Sequence, residues 1–140
     1  ALGRLVALYE HSVFTQGNAA GTNLSTAEFL IEQIKELTAP LAAIDPDPGP
    51  PTFGAEEASL SLYDDLDDFD GSTFSPPINA NRQPLNDLAG FSQQIIVQNV
   101  SPADFELVVS DLGSSFVRVT VNVYLNSEKI SSASWVRAIY

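Results

Sequence analysis

Residues 116–125, FVRVTVNVYL, decide the fold. Val117, Val119, Val121, Val123 and Leu125 alternate with Arg118, Thr120 and Asn122, and a period of two sends successive side chains to opposite faces of a strand. One face is apolar and the other polar, so the stretch predicts a sheet with one buried face. Residues 126–129 supply a turn, and 130–140 return as the last strand, with Trp135 and Ile139 on one side. Upstream, 91–100 read as a strand around Ile95-Ile96-Val97, and 105–109 as a further strand or an irregular lead-in. An apolar sheet face needs a cover, and the N-terminal part of the chain provides it.

In the segment that follows Asn23, Ala27, Leu30, Ile31, Ile34 and Leu37 or Thr38 recur at helical spacing, one continuous apolar stripe. Ser25 and Glu28 fit a reciprocal capping box, and Leu24 with Phe29 fits the hydrophobic staple around it, which together predict the helix start. Pro40 lies just beyond the expected end. Residues 1–15, ALGRLVALYEHSVFT, place Leu2, Leu5, Val6, Tyr9 and Val13 at spacings of three, four and seven, the pattern of another helix. Residues 16–23, with two glycines and two asparagines, read as a break. The expected fold class is α+β, with N-terminal helices packed on one face of an antiparallel β-sheet.

At 140 residues the chain is a normal size for one domain. We divide it into a helical region (1–38), a loop-rich connector (39–90) and an antiparallel sheet (91–140). The proline-rich run PDPGPP in the connector cannot continue a helix or join a sheet interior. Asp70-Gly71 is a turn signal.

An apolar fraction of 44% with only 17% charged residues argues for a packed core. Eighteen acidic residues against six basic ones give a formal charge of −12, a surface that repels phosphate backbones and anionic lipid. Nucleic acid is therefore an unsuitable partner. Cysteine is absent, which excludes disulfides, thiolate nucleophiles and Cys-based metal sites. Methionine is absent as well, and the chain opens inside an apolar-periodic stretch, so it reads as a fragment whose membrane segment, if any, lies upstream.

The succession AEFLIEQIKEL, PPTFG, YDDLDDFDG and SPP, followed by GFSQQIIVQNV, VRVTVNVYL and SASWVRAIY, resembles the C-terminal part of bacterial type IV pilin-like proteins. The groups resembled are minor pilins of the mannose-sensitive haemagglutinin type and the related minor pseudopilins of type II secretion. The resemblance covers residues 25–140, and it implies a mechanism without bond chemistry. Such a protein sits in the inner membrane by an upstream apolar helix facing the periplasm. After cleavage by a prepilin peptidase it packs with other pilin or pseudopilin subunits into an extracytoplasmic filament. On this reading the stripe Leu2, Leu5, Val6 and Tyr9 divides between packing on the domain's own sheet and contact with neighbouring subunits. No catalytic residue, cofactor or metal is expected. The alternative is an extracellular adhesin or carbohydrate-binding module.

The acidic cluster Asp64, Asp65, Asp67, Asp68 and Asp70 is the first place to look for chemistry. Hard oxygen ligands suit calcium, but counting from Asp65 the EF-hand positions fall on the wrong residues. Turn chemistry predicts a solvated turn instead. A carboxylate pair for glycoside hydrolysis would need a cleft that nothing in the sequence indicates. His11 is the only histidine, which excludes a His-rich metal site. The sequence contains no G-x-S-x-G elbow, no Walker motif and no dinucleotide glycine pattern.

Overall fold

The computed structural model describes residues 21–43, 60, 63 and 65–139, together with the backbone of 5–9 and 20. Six strands form one antiparallel sheet: β1 (Leu5–Tyr9), β2 (Thr73–Phe74), β3 (Phe91–Ser101), β4 (Asp104–Val108), β5 (Phe116–Leu125) and β6 (Glu128–Ala138). Their order is β1-β6-β5-β3-β2, with β4 also paired to β3. Among the described residues there is one α-helix, α1 (Ala20–Thr38), which lies across one face. The α+β class read from the sequence holds.

The register explains why the face is dry in the middle and polar at its margins. Across β3, β5 and β6, Ile95, Val121 and Ala133 stand in one row and Val97, Val119 and Trp135 in the next, all buried. Flanking rows carry Gln93, Val123 and Ser131 on one side and Asn99, Val117 and Arg137 on the other. The stripe of α1 fits the apolar rows, since Ala27, Leu30, Ile31, Ile34, Leu37 and Thr38 are all buried. Each buried side chain of this size contributes about 1.5–3 kcal/mol when fully apolar.

The polar margins fix the helix in place. Gln93 is fully buried, and its Nε2 donates to the Leu30 carbonyl at 3.0 Å while its Oε1 accepts from the Ile78 amide at 2.8 Å. Arg137 is buried too, and it donates to the carbonyls of Thr38 and Leu41. A guanidinium there satisfies carbonyls that a helix end leaves without intrahelical partners, and its charge opposes the negative end of the helix dipole. On the far face, Asn122 bridges Gln94 and Ser132, and Thr120 meets Ser134 at 3.0 Å. These are the cross-strand polar pairs of a sheet's second surface.

Three boundaries differ from expectation. First, the helix predicted over 1–15 is contradicted at Leu5–Tyr9, which is a strand whose backbone pairs with β6 from Arg137 to Ser134. LVALY is a short apolar run, and beside an open sheet edge strand pairing satisfies its backbone as well as a helix would. Residues 1–4 and 10–15 lie outside the described residues. Second, α1 begins at Ala20, so Ser25 and Glu28 sit inside the helix and Phe29 is 47% exposed, not stapled. Residues 20–23, read as part of a break, are helical. Third, the β5–β6 turn is tighter than expected. Asn126 and Ser127 both take positive φ, 49° and 74°, the conformation of a two-residue hairpin loop that matches strand twist. The proline-rich run lies outside the described residues.

Among the described residues, no helix is long and apolar enough to cross a membrane.

Candidate functional site: a buried acidic turn

Two places were singled out by the sequence, and they fare differently. Of the expected partner-binding residues, Leu2 lies outside the described residues, whereas Leu5, Val6 and Tyr9 fall on β1. The helical spacing that joined them into one stripe does not apply to a strand.

The acidic cluster has a definite geometry. Asp64 lies outside the described residues. From Asp65 the chain makes a short 3-10 turn, Leu66–Phe69. Asp65 Oδ1 accepts from the Asp68 amide at 3.2 Å, and the Asp65 amide donates to Asp68 Oδ2 at 3.3 Å. This is a capping box built from two aspartates, each carboxylate satisfying the other's backbone. Leu66 and Phe69, three apart in a 3-10 turn and hence on one side, are fully buried in the core. The Phe69 ring meets Tyr63 edge-on at 5.0 Å and Phe74 at 6.4 Å. The turn is pinned from behind, because the amides of Leu66 and Asp67 donate to the carbonyls of Ala42 and Ala43 at 2.7 and 3.1 Å.

The turn leads directly into the sheet. Asp70 Oδ1 accepts from the Val97 amide at 2.8 Å, and the Gly71 amide donates to the Ile95 carbonyl at 2.9 Å. Gly71 has φ of +80°, a conformation that glycine takes without steric cost. The Asp70-Gly71 turn signal is thus confirmed, and it delivers β2 onto β3 at Thr73–Gln94.

The solvated turn expected from turn chemistry is overturned for Asp65, Asp67 and Asp68. Each is 0% exposed. One carboxylate oxygen from each lies within 4.8 Å of the others, and the Asp65 carboxyl is hydrogen-bonded to the side chains of Asp67 and Asp68. Burial, reinforced by the neighbouring carboxyl groups of Asp67 and Asp68, pushes the Asp65 carboxyl up to about 10. Asp70 is also raised, mainly by burial, against the opposing effect of the Val97 amide. Nothing in the composition signalled this. The burial arises from long-range backbone pairing with Ala42 and Ala43, which no local spacing encodes.

The arrangement limits the chemistry available. Three sequestered carboxyl groups can hold a proton or a hard cation, but they present no carboxylate edge that a glycan could reach. A second feature the sequence did not flag is a set of exposed apolar side chains: Leu107 and Val108 on β4, and Leu112 in the loop that follows.

Comparison with protein-family models, with curated proteins and with solved structures finds no match.

Proposed function

We propose that this chain is the extracytoplasmic domain of a type IV pilin-like filament subunit, a minor pilin or minor pseudopilin, with a structural and not an enzymatic role. The supporting observation is architectural. After β1, one helix precedes the other five strands and crosses one face of the sheet, and the Asp-rich turn joins helix and strands by docking beside the helix end and delivering the chain onto β3. That is the order of parts on which the resemblance rests. In such an assembly the partners are other pilin or pseudopilin subunits, and the inner membrane is engaged only through an upstream apolar helix. The strand at Leu5–Tyr9 changes the mechanism of assembly first expected. Leu5, Val6 and Tyr9 stand on β1, so any contact they make with neighbouring subunits is made from a strand and not from a helix. The exposed Leu107, Val108 and Leu112 offer an alternative contact region at the β4 end of the sheet.

The adhesin reading gains no observation in its favour. A glycan platform needs exposed aromatic faces, and among the described residues Phe29 is the single aromatic side chain in the exposed class.

The test is to express the complete gene product in a piliated host with and without its prepilin peptidase. The reading expects peptidase-dependent processing and recovery of the protein in sheared surface filaments. Processing by an ordinary signal peptidase, with the protein released as a free periplasmic species, would overturn it.

A further inference from the structure

We propose that β4 and the loop after it, residues 104–113, dock a different protein whose contact surface is apolar at its centre and basic at its border. The observation that carries this is a set of large aliphatic side chains left in water. Leu107 is 56% exposed, Val108 45% and Leu112 40%. Leu107 and Val108 are consecutive on a strand and so point to opposite faces of β4. Neither is covered by the described residues, and exposed aliphatic groups clustered in this way mark interaction sites.

The loop holds Leu112 out at a conformational cost. Its φ is +62°, in the left-handed region that glycine and asparagine adopt readily and a bulky side chain does not. Fully buried Asn99, on β3, holds the backbone there. Its carbonyl accepts from the Val109 amide at 2.9 Å, and its Oδ1 accepts from the Leu112 amide at 2.7 Å. Its Nδ2 donates to the carbonyls of Ser114 and Phe116, and Ser114 Oγ donates to that of Val100 at 2.6 Å. The loop is thus tied to β3 at several points, and Leu112 returns beside the end of β4. Glycine or asparagine would serve the fold better at this position. An aliphatic anchor for a partner explains the leucine, and holding it rigid in advance lowers the cost of binding.

Charge selects the occupant. Asp104, Glu106 and Asp111 are exposed around the aliphatic side chains, and residues 100–116 contain no lysine or arginine. From β5, Arg118 approaches Glu106 at 4.0 Å and donates to the Phe105 carbonyl at 3.0 Å. A second copy would bring the same three carboxylates, and its own charge of −12, against this region. Such juxtaposed like charges disfavour self-association, whereas lysine and arginine at a partner's border complement the site. This deepens the filament reading and rests on it for the kind of partner, a different subunit of the assembly.

The experiment titrates the isotope-labelled chain with a synthetic peptide of leucines flanked by lysines, and with the same peptide carrying glutamate for lysine. Saturable shifts of the amides over 104–113 are expected with the lysine peptide only. Added salt should weaken them, because it screens exposed charges. Leu107→Ser should weaken binding by at least about tenfold, the worth of burying one leucine. Leu112→Asn should do the same and leave the urea midpoint unchanged or higher, since asparagine tolerates left-handed backbone. A leucine with a purely structural role would lower that midpoint. Phe29→Ser, at an exposed aromatic residue of α1, should bind as the parent does, separating the site from apolar exposure in general. Equal binding of the glutamate peptide, no saturable shifts over 104–113, or binding unchanged in both leucine variants would overturn the site. So would self-association of the parent in sedimentation that Leu107→Ser abolishes. None of these measurements needs a filament, so they fail separately from the peptidase test.

Discussion

Two regions of this domain are equally dry and chemically opposite. The face between α1 and the sheet buries rows of Ile95, Val121 and Ala133 beside Val97, Val119 and Trp135. The turn at Asp65–Asp68 buries three carboxyl groups to the same degree. Burial by itself therefore does not mark hydrophobic core. What separates the regions is how each reaches its buried state. The sheet face is driven there by apolar area. The acidic turn is carried there by Leu66 and Phe69, which share one side of it, and by backbone bonds to Ala42 and Ala43. One region gains from losing water, whereas the other needs its polar groups hydrogen-bonded to tolerate it.

The largest expected effect tests that contrast directly. Val119→Asp places one carboxylate between Val97 and Trp135, where the described neighbours in its row are apolar. An uncompensated buried charge costs several kcal/mol, comparable with the whole stability of a domain. The variant should show no cooperative unfolding transition by circular dichroism at 25 °C. Asp65→Asn should keep its transition, with a midpoint equal to or above that of the parent. If both variants unfold the chain alike, the two regions are not different in kind.

The next effect is smaller and concerns the link between helix and sheet. Arg137→Met preserves most of the side-chain stem but removes the donors to Thr38 and Leu41. Hydrogen bonds to a charged group are worth about 1.5–3 kcal/mol, so urea unfolding should show a loss of about 2–4 kcal/mol with an unchanged m-value. A loss below 1 kcal/mol would mean that apolar packing alone positions α1.

How much of this was legible in sequence follows the same division. The period of two in FVRVTVNVYL and the helical stripe from Ala27 to Thr38 are repeating consequences of burial on one face, and both were readable before any coordinates. The strand at Leu5–Tyr9 was not, because five apolar residues satisfy helical spacing and strand pairing alike, and only the open edge of β6 decides between them. The roles of Gln93 and Arg137 depend on carbonyls 63 and 96–99 positions away. The sequestration of Asp65, Asp67 and Asp68 likewise comes from tertiary pairing, and clustered aspartates look the same in a solvated turn. Periodic burial is written locally, whereas burial of a single polar group is not.

A change of pH should distinguish the regions again. Asp65 holds its proton in the folded chain up to about pH 10, while an aspartate in the unfolded chain releases it near about 3.9. Between these limits the folded state binds more protons, so stability falls as pH rises. The contribution is fully present below the unfolded value and is lost as pH climbs toward the folded one. The raised Asp70 acts in the same sense. Melting midpoints should therefore decline steadily from pH 5 to pH 9. A rising or flat profile would show that the trio ionises freely and is not desolvated as described.

The smallest effect bears on where α1 begins, and its sign carries the information. Ser25 with Glu28 has the form of a helix start, and a capping serine replaced by alanine costs about 1 kcal/mol. In the structure Ser25 is exposed and lies one and a half turns inside a helix that starts at Ala20. In a helix interior alanine is the better former by up to about 0.5 kcal/mol. Ser25→Ala should then leave the urea midpoint unchanged or raise it slightly. A drop of about 1 kcal/mol would restore the helix boundary to Ser25 and return residues 20–24 to the loop, leaving the N-terminal strand to approach the helix through a longer connection.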